Sequence, residues 1–450
     1  MKHFFAGVAL TLFSLTVLAQ TFDVDTILYN GNINTHINIV ILGDGYTVSE
    51  LDLFITDATN NANALFTQVP FSNYKNYFNV FLIKVPSNVS GAAMDPNNLI
   101  DNYYGSTFWY AGIERLLVPT KNSRISSVLA NNFPAYDHVL MLVNSSKYGG
   151  SGGWLATSST NSSANEIVFH ELGHSFSDLA DEYWAGPQYA NEAINMTQET
   201  NIENLRWKNW HGEFGVGLYP HSESPTWYRP HQNCKMRYLG VPFCAVCVEA
   251  TIETVHQLVS PLLSHNPVST NIAEPTFPLE FNLNLINPIP NTLKRTWELN
   301  GSPLNSNVDL VLLNKTDLLE GSNTLAVTVE DTTQLLRVDN HISIHLEMVN
   351  WTIQNTVTGV NSINSQSSNL KIELYPNPFS EYLNVKLLGE AKGSLTVEIA
   401  DLQGKVAIAS PLSPTELNTI PLNGLNSGVF IAKFYLNSKL ITSKMVVKTE

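Results

Sequence analysis

The chain has 450 residues, more than one ordinary domain, which predicts two to four. Hydrophobic residues at 44% against 14% charged describe a folded, core-forming protein and exclude a disordered one. A formal net charge of −15 with no basic stripe excludes a nucleic-acid partner, which needs clustered Lys and Arg, and is read as solubility.

The first predicted element is MKHFFAGVALTLFSLTVLAQ, with basic Lys2, an apolar run from Phe4 to Leu18 and the small residue Ala19. This pattern predicts a secretory signal peptide over 1–19, cleaved before Gln20, because the run is short for a span of about 20 residues. No other segment is apolar and long enough to cross a bilayer, so no stable membrane insertion is expected after cleavage. INIVILGDGYT (37–47) then predicts a buried strand running into a Gly-rich turn. SELDLFITDATNNANALFTQV (49–69) has helical spacing, with Leu53, Ala58 and Leu65 set among polar residues. NYFNVFLIKVPS (76–87) and YDHVLMLVNSS (136–146) are further strand-length apolar runs. Strands alternating with helical patterns predict an α/β or α+β domain over 20–262. KYGGSGGWLATSS (147–159) lacks the ending of a phosphate-binding loop and is expected to be an edge strand where a substrate backbone could pair.

The segment EIVFHELGHSFSDLADEYW (166–184) carries the chemistry. Ser163 and Glu166 have the spacing of a capping box, so a helix is expected to start there. His170 and His174, four apart, fall on one face of it, and Val168, Leu172 and Phe176 lie about 200° round from them. One face can pack inward while the other looks into a cleft. Neutral imidazoles are zinc ligands, and a catalytic zinc keeps three protein ligands and an open position for water. Glu171 is placed to act as general base on a zinc-activated water and then as general acid to the leaving amine.

Two histidines do not complete the set. Glu192, in YANEAIN, lacks a helical context. Metzincin peptidases instead end the helix at a sharp turn and supply a ligand about ten residues after the first His. Ala180 holds that position here and cannot ligate. A turn one residue longer, with Asp178 in the left-handed region, delivers Asp181; Glu182 is the neighbour left open. Met236, in NCKMRYLG, fits the methionine turn beneath a metzincin zinc. Tyr238 fits the tyrosine that assists the oxyanion. Cys234, Cys244 and Cys247 lie close together, and in an exported chain a disulfide between Cys234 and either of the others is expected, a zinc knuckle being the rival.

Across 37–250 the chain resembles the M64 peptidases, the group that includes immunoglobulin-A-cleaving metalloproteases. The resemblance is carried by INIVILGDGYT, LFTQVPFSNYKNYFNV, HELGHSFSDLADEY and NCKMR…FCAVC. It implies a metzincin-like zincin fold and a Zn2+ peptidase; family members often have Gly where this chain has Asp178. The composition shifts after about residue 262, and PLEFNLNLI, VDLVLLN, NTLAVTVED and HISIHLEMV predict an all-β immunoglobulin-like sandwich over 263–358. A polar linker is expected at 359–369. The final unit, 370–450, resembles the type IX secretion system C-terminal sorting domain through LYPNP, LTVEIADLQGKVA, GVFIAKF and KMVVK.

The expected whole is a zinc metalloendopeptidase, multidomain, exported through the periplasm and across the outer membrane to the cell surface or medium. His170, His174 and Asp181 are its expected metal ligands, and Glu171 and Tyr238 its catalytic residues. Its expected partners are a protein or glycoprotein substrate and the type IX machinery. The rivals are a non-proteolytic adhesin or glycan-binding protein on a peptidase scaffold, and a zinc hydrolase of a non-protein amide or ester. Retention of Glu171 speaks against the binding protein, which gains nothing from a general base.

Overall fold

The computed structural model describes residues 20–339, 341, 345–355, 370–389, 393–414 and 417–449. The expected signal peptide (1–19) and linker (359–369) lie outside them. Two compact units are formed, one running to Leu65 and resuming over Phe78–Ser175, the other made of Phe66–Tyr77 with Phe176–Glu450.

The first unit opens with β1 (Val24–Leu28) and β2 (Ile37–Asp44) and continues into α1 (Leu51–Leu65) and β3 (Phe78–Ile83). The short pair β4 (Ser106–Thr107) and β5 (Val118–Pro119) follows, then α2 (Asn122–Asn132) and β6 (His138–Val143). It closes with β7 (Gly150–Ser151), β8 (Ala156–Ser159) and the start of α3 (Ala164–Ser177). One six-stranded sheet has the order β1-β3-β2-β6-β8-β7. Strands β3, β2, β6 and β8 are parallel, and the antiparallel β1 and β7 form the edges. Every residue of β2, β3 and β6 is buried, as expected of inner parallel strands covered on both faces, so their sequences read as continuous apolar runs.

In α1 the inward residues are Phe54, Ala58, Ala62 and Leu65, whereas Leu53 is exposed. The apolar stripe is therefore one residue off the expected one at its start, because Phe54 rather than Leu53 stands one helical turn before Ala58. The GDGYT turn is held by Asp44, whose buried carboxylate accepts from the backbone N–H groups of Gly45, Tyr104 and Ser106 and from Ser87 Oγ. Gly45 has φ +73°, and a Cβ there would stand 2.2 Å from the Gly91 carbonyl oxygen, so this turn requires glycine.

His138, at the start of β6, is 6% exposed with Nε2 3.0 Å from Ser175 Oγ. Burial pushes its pKa down to about 4. With the folded value depressed below the ordinary 6.5, its contribution is complete above pH 6.5 and drains away as the pH falls towards 4. The whole effect is roughly 3 kcal/mol. Thermal unfolding of the full chain at pH 7.5 and pH 5 is therefore expected to show a smaller acid-induced drop in Tm for His138→Gln than for the parent. An equal drop would remove His138 as the cause.

The second unit begins with Phe66–Tyr77 and resumes at Phe176. It contains α4 (Ala245–Leu258), and beyond it a three-stranded sheet of Leu262–Asn266, Leu279–Leu285 and Leu310–Leu313. A five-stranded sheet holds Asn271–Ile272, Leu346–Asn355, Gly321–Asp331, Leu293–Leu299 and Ser302–Ser306 in that order. Both sheets contribute to one core around Phe281, Trp297 and Trp351, with the two indoles stacked at 5.9 Å. Of HISIHLEMV, residues 342–344 lie outside the described residues, and a strand runs from Leu346. A non-local buried group ties Tyr74 Oη, His256 Nε2 and Thr292 Oγ1 to the Asp331 carboxylate. The C-terminal segment forms a three-stranded and a four-stranded sheet around its own core, which includes Leu383, Val397, Phe430, Phe434 and Val446.

Candidate metal centre

The helix α3 starts where the caps predict. The Ser163 carbonyl accepts from Ile167 N–H, which makes Ser163 the residue before the first helical one, with Glu166 in the first turn. Val168, Leu172 and Phe176 are buried, as the 200° offset from the histidines requires. The helix ends at Ser177, and Asp178 takes φ +52°, the left-handed conformation that stops a helix and redirects the chain.

His170 Nε2 and His174 Nε2 face each other at 3.3 Å. Asp181 joins them: one ligand atom from each of the three lies within 4.8 Å of the others. Two imidazole nitrogens at about 2.0–2.1 Å from one tetrahedral ion stand about 3.3–3.4 Å apart, so the observed spacing already fits a metal. His170 is buried, while His174 and Asp181 are partly exposed, leaving one side of the group open.

Glu171 belongs to the same helix, and its carboxylate lies over the edge of the sheet. A Cβ on Gly152 would stand 2.6 Å from Glu171 Oε2 and 3.1 Å from His174 Cδ2. The glycine is therefore what lets the segment after β7 pass close to the acid and the ligand. Beside it is a cleft of about 260 Å3 that includes Tyr110, Asn122, Ser151, Gly152 and Trp154 in its walls. Strand β7 is last in the sheet, but Gly150 N–H donates to the Arg115 carbonyl and the Gly150 carbonyl accepts from Leu117 N–H, so the backbone expected to pair with a substrate is already paired there.

Glu182, the neighbour left open as third ligand, is fully buried, and its carboxylate is grouped with Cys234, Cys244 and Cys247 rather than with the histidines. Its N–H donates to the Met236 carbonyl at 2.8 Å. Met236 is fully buried within a tight turn closed by Arg237 N–H to the Cys234 carbonyl at 2.9 Å. Tyr238 is 48% exposed, with the Arg237 guanidinium 4.6 Å from its ring centre. Glu192 is engaged elsewhere, accepting from Thr197 Oγ1 and Gln198 N–H. All three cysteines are free, which departs from the expected disulfide. No sequence signal linked Glu182 to the cysteines, since the group joins positions more than fifty residues apart.

Residues 26–218 match the family IgA Peptidase M64. Residues 373–448 match the secretion system C-terminal sorting domain. The M64 match implies a peptidase, and M64 peptidases are metallopeptidases, in keeping with a chain that offers a metal-binding group. The sorting-domain match indicates export by the type IX system, to the cell surface or as a secreted protein. No described helix is long and apolar enough to cross a membrane. The M64 match stops at residue 218, so the stretch from Cys234 to Cys247 lies beyond it.

No curated protein matches the chain. Among solved structures, dimeric latent PorU from Porphyromonas gingivalis is 16% identical, with 42% of this chain and 20% of that one covered and a TM-score of 0.18. The Bacteroides ovatus glucan-locus protein SGBP-B, in complex with a mixed-linkage heptasaccharide, is 12% identical over 40% of this chain and 66% of its own, with a TM-score of 0.15. An α2-macroglobulin fragment from Escherichia coli is 6% identical over 39% and 93%, with a TM-score of 0.18. The chain thus spans only a fifth of PorU, and at these TM-scores the likenesses carry no functional argument.

Proposed function

We propose that the chain is an exported zinc-dependent endopeptidase of metzincin type, with its catalytic part within 20–262, an immunoglobulin-like sandwich over 263–358 and the sorting domain over 370–450. The observation that carries the reading is the 3.3 Å approach of the two helical imidazoles with Asp181 in reach of both. The left-handed Asp178 and the Met236 turn support the metzincin assignment.

In this reading His170, His174 and Asp181 hold the ion. When bound, Zn2+ supplies Lewis acidity, polarising the scissile carbonyl and bringing the pKa of a water towards 7. Glu171 takes the proton from the attacking water and returns it to the leaving amine, which a carboxylate one residue from a ligand on the same helix is placed to do. Tyr238 is assigned the assisting role at the developing oxyanion. The cleft beside Trp154 receives a side chain of an extended peptide.

The test is proteolysis of casein by the full chain, set beside a non-protein amide and an ester. Casein cleavage is expected to stop on chelation and to return on adding Zn2+. Cleavage that persists through complete metal removal would sink the zinc reading, and turnover of the small substrates alone would sink the peptidase one.

A further inference from the structure

We infer that Glu182, Cys234, Cys244 and Cys247 form a second metal site, a closed four-ligand site for a thiolate-preferring divalent ion of zinc's class. The four side chains are all buried, and their ligand atoms lie within 4.8 Å of one another. Cys234 Sγ and Cys244 Sγ each stand 3.6 Å from Cys247 Sγ, and Glu182 Oε1 is 3.4 Å from Cys247 Sγ. Sulfurs at about 2.3 Å from one tetrahedral ion are about 3.8 Å apart, whereas a disulfide brings two sulfurs to about 2.0 Å. The observed spacings match the first arrangement. Four protein donors, three of them thiols, with no open face, is the composition of a structural rather than a catalytic site.

The donors come from three places that the ion would join. Cys234 lies at the start of the tight turn holding Met236, Cys244 caps α4 and Cys247 lies in its first turn. Glu182 follows Asp181 directly. The Glu182 carboxylate is buried with Oε1 accepting from Asn195 Nδ2 at 3.2 Å, while Oε2 has no hydrogen-bond partner among the described residues. Burying a carboxylate beside three sulfurs is costly unless a cation is shared among them. Binding takes place with loss of the three thiol protons to solvent, with no change of oxidation state.

The site does not depend on the peptidase reading. Its second consequence does rest on that reading: the ion would fix Glu182 and so position Asp181 for the histidine group.

The experiment loads the full chain with Co2+ in place of its native metal and measures metal content by mass spectrometry. The parent is expected to hold two ions per chain and to show a near-ultraviolet thiolate-to-cobalt charge-transfer band. His170→Ala/His174→Ala should keep one ion and the band; Cys244→Ser/Cys247→Ser should lose the band. In the cysteine variant the remaining ion is expected to leave at roughly 10- to 100-fold lower chelator concentration. A parent without the band, or with two of its cysteines disulfide-bonded under non-reducing conditions, overturns the site whether or not the cysteine variant folds. An unchanged chelator profile overturns the positioning role. A chain that shows the band but cleaves no protein would count against the peptidase reading alone.

Discussion

Replacing Glu171 with Gln is expected to lower kcat/KM on casein by roughly 100- to 10,000-fold with metal content and Tm unchanged. The amide keeps the volume and a hydrogen-bonding oxygen but cannot accept a proton, so only the proton transfer is removed. The geometry makes this a clean substitution. Glu171 lies on α3 between the two histidines, and its carboxylate faces Gly152. A general base acting through the transition state should depress kcat more than KM. Retention of more than a tenth of the parental activity by Glu171→Gln would assign the proton transfer to another group.

The second large effect concerns the third ligand. Asp181→Ala is expected to release the histidine-bound ion and to cost roughly 100-fold or more in activity, because two imidazoles alone hold zinc poorly. Glu182→Gln is expected to keep that ion at stoichiometric loading while perturbing the cysteine group. The two substitutions are adjacent and both remove a carboxylate, so general charge effects are matched between them. If Asp181→Ala retains the ion and Glu182→Gln loses it, the ligand assignment is reversed.

Much of this centre is legible in the sequence. His170 and His174 share a face by the period of the helix alone, and Ser163 with Glu166 marks its start. The stop at Asp178 was also legible, because few residues other than Gly, Asn and Asp accept the left-handed region and Asp stands where the chain must turn. The choice between Asp181 and Glu182 was not. It depends on which way successive side chains point after the turn, and that is set by the bond from Glu182 N–H to Met236, a residue far along the chain. The cysteines were legible as a cluster, but their fourth neighbour was not, for the same reason.

The fold divides along similar lines. Strands β2, β3 and β6 were found as apolar runs because they are buried on both faces. The helix α2, NSRISSVLANN, was missed: Ile125, Val128 and Leu129 are its only buried residues, and Ser and Asn occupy most of the rest. Such residues favour turns and caps, so the helix is held by packing rather than by propensity. The group around Asp331 joins Tyr74, His256 and Thr292 and leaves no pattern in any local window.

The C-terminal segment carries a consequence for the life of the molecule after export. The core cluster running from Ile372 to Val446 is built from that segment alone, and the core around Phe281 and Trp351 shares none of its residues. Severing the backbone between Asn355 and Leu370 would therefore open neither hydrophobic interior. The delivery tag is detachable in one defined sense: its loss takes no side chain out of the apolar core that precedes it.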